Sequence, residues 1–555
     1  MNQIIENVLN LAFDATKEEL SKSQILETGY DWNDNTWEVI VKYTGSLEMI
    51  RAGYTDVFIE ELLNFYAIIR ADKETIERLS REKEIIYIEK PKRMNYEINN
   101  GLAASCINSL WAVQPELTGK GVIVAVIDSG IDVTSDEFRD LEGNTRIINI
   151  YDQITNKEYT REDINNYLKS GDKSEAPGYD ILGHGTDVAQ IACGNSGVAS
   201  GSDIIIVKMG QSYNDSFPRT SNLMEGVDYV VRKSMEYNRP VVINLSFGNN
   251  YGDHIGNTIV EMYLDDIIKN YRCQICIGSG NEADKSIHST TNISSYAVKD
   301  IELAVGEYET GLDIQIWKEY WDDIEIYLQE PSGEINLRID DQPIKKYDFA
   351  GTRILSITGE SSPFNVNQEI FIDMIPLKQY ITTGVWIIHF KSNKVKSGNI
   401  NMWLPSASVS NESTGFLYPE ADNTFTIPGT TGRAITVGAY NSYTGAYAPF
   451  SGRGNTLGRI KPDIVAPGVN ITLSRISNGR KIVRTVSGTS YATPFVTGSV
   501  AILMQWGIVQ GHDIFLYGEK VKSYIIKGAS GVYSEPQPSN KVGWGRLCLR
   551  NSFQE

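Results

Sequence analysis

The sequence is short of cysteine, histidine and positive charge. Only five cysteines and five histidines occur in 555 residues. The cysteines (Cys106, Cys193, Cys273, Cys276 and Cys548) form an odd, scattered set, unlike the disulfide framework of a small secreted domain. Cys273-Gln-Ile-Cys276 has CxxC spacing but lies in an apolar run. In a strand, residues three apart point to opposite faces, so the pair reads as two small buried hydrophobes rather than metal ligands. Lys and Arg total 51 against 70 Asp and Glu, a net charge of −19, which argues against nucleic acid or an anionic membrane as the main partner. The N-terminal stretch MNQIIENVLNLAFDATKEEL lacks a basic region, a long apolar core and a cleavage site, so no signal peptide is expected and synthesis in the cytoplasm follows. No stretch is expected to reach the apolar length of a membrane helix. Repeats and low-complexity tracts are absent too. What is present is ordinary for a folded chain: 41% hydrophobic residues, Gly 48 and Pro 18. Disorder and fibres are excluded, and about two to four domains are expected at roughly 100–200 residues each.

Three rhythms divide the chain. Residues 1–100 hold two strands (36–43 and 64–71), a helix KETIERLSREKE with Asp72 as its N-cap, and a third strand at 85–89, which together make a small α+β module. From about residue 101, near-continuous apolar runs at 122–128, 203–208, 240–246, 274–279 and 434–439 alternate with helical segments. Such runs suit an α/β fold, a parallel sheet with helices on both faces, whose ligands bind beyond the carboxyl ends of the strands. Between 305 and 427 the period drops to two in Leu312-Ile314-Ile316, Ile324-Ile326-Leu328, EIFIDMI, GVWIIHF and NINMWL. This predicts an inserted β-sandwich, with the α/β domain resuming over 428–555. Closing such an insertion against the α/β domain would rigidify it and slow unfolding.

Four segments carry chemistry. VIVAVIDSGID places Asp128 at the end of an apolar strand, and GHGTDVAQIACG places His184 between glycines at a helix start. IGSGNEAD ends another strand at Asn281, and SGTSYATPFVTG opens an apolar helix at Ser490. A serine hydroxyl is a weak nucleophile and needs a base within hydrogen-bond reach. His184 can serve near neutrality, Asp128 can hold its tautomer, and Asn281 can donate with the Ser490 N–H to a tetrahedral oxyanion. The order Asp, His, Ser is one of the known chain orders of this triad. Asp132 lies beyond the strand end and is the weaker orienting acid. His254, His288, His389 and His512 read as surface or packed residues.

These segments, together with FSGRG at 450–454, IKPDIVAPGVNI at 460–471 and NLSFG at 244–248, resemble the subtilisin (subtilase) family of serine proteases. The resemblance implies a subtilisin-like fold, with Ser246, Phe247 and Gly248 in a segment that pairs with an extended substrate. The N-terminal module, the β insertion and the ending NKVGWGRLCLRNSF are further similar to the Csp spore-germination proteases of anaerobic spore-formers. That likeness implies a propeptide that acts as chaperone and inhibitor and is removed by the enzyme itself. Its tail, expected between about residues 96 and 106, would stay in the cleft. The likeness also implies a jelly-roll insertion, a zymogen of a cortex-lytic enzyme as protein substrate, and association with the spore. No cofactor is implied. GNSGVASG at 194–201 is too short for the family's calcium loop, so no metal is expected at that position. The chain departs from the family at Asp187, where a histidine is usual, and at Tyr491 and Thr493, where small residues are. Two other readings stay open: a propeptide-inhibited pseudoprotease that binds or signals, and a general intracellular subtilase.

Overall fold

The computed structural model describes residues 4–17, 20, 29–54, 57–62, 65–90, 97–170, 176–210, 218–341, 343–349, 351–407, 410–455, 459–532 and 535–553. It divides into two compact units, Met1–Asn95 and Tyr96–Glu555, five residues before the boundary expected from the sequence.

In the first unit, Thr36–Tyr43 pairs antiparallel with Tyr66–Ala71, Ile85–Glu89 and the short Tyr30–Asp31, and Phe58–Leu62 adds to the far side of Tyr66–Ala71. Alternation in TWEVIVKY turns Trp37, Val39, Val41 and Tyr43 into the core. Asp72 caps the helix Lys73–Leu79 by accepting the Thr75 N–H at 2.8 Å, and Ile76 and Leu79 are the face it buries. That helix is shorter than the sequence suggests. The Ser80 hydroxyl bonds back to the Glu77 carbonyl, and the chain turns toward Ile85.

The second unit is built on an eight-stranded sheet in the order Ile464–Pro467, Ile435–Tyr440, Cys273–Gly278, Val241–Leu245, Ile123–Asp128, Asp203–Lys208, Ile147–Asp152 and Lys157–Thr160. All neighbours are parallel except the last pair. Each central strand is buried on both faces. Val124 and Val126 face a core shared with the helices His184–Cys193 and Thr489–Met504, while Ile123, Ala125 and Ile127 face one shared with Thr220–Glu236 and Ile259–Asn270. Cys276 and Cys273 fall into these two opposite cores, and burial holds both thiols protonated, Cys276 pushed up to about 12.

Three expectations are corrected. Cys106 and Cys548 are joined by a disulfide across 442 residues of sequence, a pairing that spacing could not reveal. Residues 97–104 are not an extended tail. They form the helix Glu97–Ala104, with Leu102 in the same core as Phe495, and a Cβ on Gly101 would come within 2.4 Å of the Phe495 ring. One helix, Thr489–Val509, is long and apolar enough to pass for a membrane span by length and composition. It is apolar all round because the sheet and its neighbours cover it, 83% of that window being buried.

The insertion is a two-sheet β-sandwich. One sheet runs His288–Asn292, Asn399–Trp403, Leu312–Glu319, Asn367–Pro376, Thr352–Thr358, Ile344–Phe349; the other runs Asn336–Arg338, Ile324–Gln329, Gly384–Ser392, Val298–Val305, Gly415–Phe416. Ile314, Ile316, Ile326, Ile372, Trp386 and Phe390 close one core between them. It begins earlier than residue 305, because the polar strand HSTTN carries no apolar alternation to betray it.

Candidate active site

The strand Ile123–Asp128 delivers Asp128 to the carboxyl edge of the sheet, and the helix His184–Cys193 starts on the imidazole itself. His184 Nδ1 and Asp128 Oδ1 are 2.8 Å apart, and the same oxygen accepts the Ser129 N–H at 2.7 Å. Asp132 does not touch the imidazole. Its carboxylate accepts from Thr134 and Ser477 instead. Burial disfavours the imidazolium, but the charge and hydrogen bond of Asp128, with Asp180 and Asp187 behind it, outweigh this and hold the His184 pKa above its ordinary value.

The loop that carries His184 is organised by Asp180, which sequence reasoning missed. Its Oδ1 accepts from the Ser129 hydroxyl and the Gly183 N–H, and its Oδ2 accepts from the Thr186 N–H and hydroxyl, all between 2.7 and 2.9 Å. Ser129 Oγ in turn accepts the Gly185 N–H at 3.0 Å. Gly183 sits at φ +73°, where a side chain would also meet Arg484 Nη1. The signal was the acid three residues before the glycine, which in a lone sequence looks like any loop cap.

The departures from the family pattern have physical counterparts here. Asp187, fully buried, pairs with Arg475 at 2.6 Å and Arg484 at 2.9 Å, both from the hairpin of Ile471–Ser477 and Arg480–Val486. Tyr491 sets its ring edge-on to His184, centroids 5.6 Å apart, and screens the imidazole; burial pushes its phenol up to about 12.

Ser490 is the second residue of the helix Thr489–Met504, whose N-cap Gly488 has φ +149°. Its hydroxyl donates to the Ser246 carbonyl at 3.0 Å, and among the described residues no hydrogen bond joins it to His184. Asn281 Oδ1 accepts the Thr489 N–H at 2.9 Å, which fixes the amide orientation and leaves Nδ2 facing the start of the helix, near Gly488. Ser246, Phe247 and Gly248 follow the end of the strand Val241–Leu245. All three line a cavity of about 430 Å³ with Gly280, Asn281 and Ser490. Gly248 must be glycine, since a Cβ would lie 2.5 Å from Thr426 Oγ1. Glu282, buried in the cavity wall, accepts from Ser406 Oγ at 2.6 Å and from the Ala407 N–H at 3.3 Å, residues just past the sandwich strand Asn399–Trp403. His254 and His288 stack on either side of Trp403, and His389 bonds Asp300, all away from this site. His512 stacks on Trp506. Among the described residues no group of three or more His, Cys, Asp or Glu side chains converges as metal ligands would.

A nucleophile at a helix start, an imidazole oriented by a buried carboxylate and a free amide donor form the set needed for acyl transfer. Comparison with known proteins agrees. Residues 3–92 match the Csp protease B prodomain, and residues 119–365 and 384–545 match the Subtilase family. The solved structure of the Clostridium perfringens CspB protease superimposes with a TM-score of 0.76 at 35% identity, covering 82% of this chain and 96% of that one. Serine protease AprX of Bacillus subtilis is 36% identical over 147 residues, 23% of this chain and 31% of that protein. The minor extracellular protease Vpr of the same organism is 23% identical over 468 residues, 79% of this chain and 52% of that protein. The chain thus spans about a third of the length of the first of these relatives and about half of the second.

Proposed function

Because the chain belongs to the subtilase family of serine proteases and carries a Csp-type prodomain, we propose that it is an endopeptidase acting through Asp128, His184 and Ser490, first on its own propeptide and then on a protein zymogen. The observation that carries this reading is the 2.8 Å Asp128–His184 contact beside a serine at a helix N-terminus and an amide whose oxygen is pinned and whose nitrogen is free.

In the first step the Ser490 hydroxyl leaves the Ser246 carbonyl and turns to His184 Nε2. The imidazole takes the proton as Oγ attacks the scissile carbonyl. Asn281 Nδ2 and the Ser490 N–H donate to the oxyanion, one such donor lowering the barrier by about 3–4 kcal/mol, and the helix dipole adds to them. His184 then protonates the leaving amine, and water repeats the cycle on the acyl-enzyme. Substrate lies extended along residues 246–248, with one side chain in the cavity beside Glu282.

A helix is a poor substrate for an enzyme that takes an extended segment, so the helix Glu97–Ala104 supports a processing bond on its N-terminal side. The propeptide chaperones folding and inhibits the cleft until that bond is cut. The similarity to a CspB protease supports a cortex-lytic zymogen as the later substrate, and a spore-associated chain made in the cytoplasm. The test is intact mass of the purified protein beside its Ser490→Ala variant. The wild type is expected to split ahead of residue 97 while the variant stays whole. If both remain full length, the serine is not turning over and the chain works as a propeptide-inhibited binding protein.

A further inference from the structure

The outer face of one sandwich sheet is paved with polar and aromatic side chains in cross-strand register. Thr290 pairs with Asn401, Asn401 with Trp317, and Trp317 with Glu369. The neighbouring rung is His288, Trp403, Gln315 and Phe371. Over this face lies a cavity of about 430 Å³, closed on its other side by Asp253, Ile255, Glu420, Asp422 and Asn423. A second, of about 370 Å³, adjoins it and shares Asp253 and Trp317. Neither contains Ser490, His184 or Asp128. Trp317 and Glu319 line the cavity, and beneath its surface their Nε1 and Oε2, a donor and an acceptor, are buried without a hydrogen-bond partner. Such orphans are rare in folded proteins and ask for a missing partner.

We infer that this cleft binds a neutral or amine-bearing oligosaccharide. Of the strands under it, Asn399–Trp403, Leu312–Glu319 and Asn367–Pro376 are interior to the sheet with both ladder edges paired, and the edge strand His288–Asn292 already gives its His288 carbonyl to the Glu420 N–H, so the cleft offers a ligand side chains and little main chain. A polypeptide strand gains its affinity from main-chain hydrogen bonds that are used up here. A sugar hydroxyl is donor and acceptor at once and meets the amides and carboxylates of this lining with equal ease. Trp317 supplies the flat apolar surface that pyranose C–H faces require, and Trp403, clamped between His254 and His288, keeps the floor rigid. The charges select further. Asp253, Glu319, Glu420 and Asp422 line the cavity, while Lys318 Nζ turns away to the Asp322 carbonyl at 2.7 Å, so anionic sugars are repelled.

The test is calorimetric titration of the full chain, carrying Ser490→Ala to prevent self-cleavage, with N-acetylchitotetraose, chitotetraose and tetragalacturonate. Saturable binding is expected for the first two and none for the third. Trp317→Ala should weaken it by about tenfold or more, with Trp317→Phe restoring part. Asn401→Ala gives the same reading should the tryptophan variant unfold earlier on heating. The inference is overturned if neither neutral nor amine-bearing sugar binds up to roughly 10 mM, or if both variants bind unchanged. It is equally overturned if tetragalacturonate binds as well as the others, or if only a casein peptide pool binds and both variants abolish that.

Discussion

Ser490 and Ser246 hold each other reciprocally: the Ser490 hydroxyl donates to the Ser246 carbonyl at 3.0 Å, and the Ser246 hydroxyl donates to the Ser490 carbonyl at 3.0 Å. Asn244 Nδ2 donates to Ser246 Oγ at 2.8 Å, and Thr497, two turns into the nucleophile's helix, donates to Asn244 Oδ1 at 2.8 Å. The start of the helix is thus latched to the end of the neighbouring strand, and the nucleophile rests on a carbonyl rather than on its base. Leaving that rest costs one neutral hydrogen bond, about 1 kcal/mol, small beside the barrier of amide hydrolysis.

Ser246→Ala should therefore separate the latch from the resting place. The backbone carbonyl remains, but buried Asn244 Nδ2 loses its acceptor and the Ser490 carbonyl its donor. Unfolding by denaturant is expected to show a loss of about 1–3 kcal/mol, while self-processing continues more slowly. Unchanged stability would mean that the latch is replaced by water.

The pH dependence follows from His184. Against the cost of burial its pKa is held above the ordinary histidine value, chiefly by Asp128, and the base must be neutral to act, so processing and peptide cleavage should fall as pH drops through a midpoint above that of a free imidazole. Asp128→Asn should move that midpoint down and cut kcat steeply. Stability runs the other way. A group whose folded pKa is raised stabilises fully below its unfolded value and loses that contribution as pH rises through the folded one. Denaturant unfolding of wild type and Asp128→Asn at about pH 5 and about pH 9 should show the larger gap at the acid end.

The strands that carry the candidate site were legible because each is an apolar run buried on both faces and ending in a polar residue, a pattern that needs no knowledge of neighbours. Asp128 and Asn281 fall where such runs stop, and His184 and Ser490 where helices begin. What was not legible depends on partners distant in sequence. Asp180 is one loop acid among many until Ser129 arrives beside it from another strand end. Asp187 looks like a defect until Arg475 and Arg484, nearly three hundred residues later, neutralise it. The strand His288–Asn292 is polar because its outer face lines a cleft, so it carries no apolar alternation to mark it as a strand. Cys106 and Cys548 meet only because the helix Ile107–Trp111 packs by the C-terminal turn Leu549–Ser552, with Ser105 O accepting the Leu549 N–H.

That disulfide gives a direct check on the fold. Alkylation of the denatured protein should label three cysteines, Cys193, Cys273 and Cys276, and all five after reduction. Cys106→Ser should lower stability by about 2–4 kcal/mol, since the bond restrains nearly the whole unfolded protease chain. Cytosolic thiols stay reduced, so the bond is expected to form only after the chain meets an oxidising compartment. Five labelled cysteines without reductant would refute the pairing.

Asn281 offers the sharpest separation of chemistry from architecture, because its two side-chain atoms do different things. Oδ1 accepts the Thr489 N–H at the helix start, and Nδ2 is left for the oxyanion. Asn281→Asp keeps an acceptor for Thr489 but replaces the donor with negative charge where negative charge must develop. It should lower kcat by about 10²–10³ or more with KM little changed, and leave stability within about 1 kcal/mol. Asn281→Leu removes both atoms, so it should lose kcat similarly and also destabilise by about 1–3 kcal/mol through the buried Thr489 N–H. If the aspartate variant instead cleaves at the wild-type rate, the oxyanion is held by backbone alone and Asn281 only caps the helix.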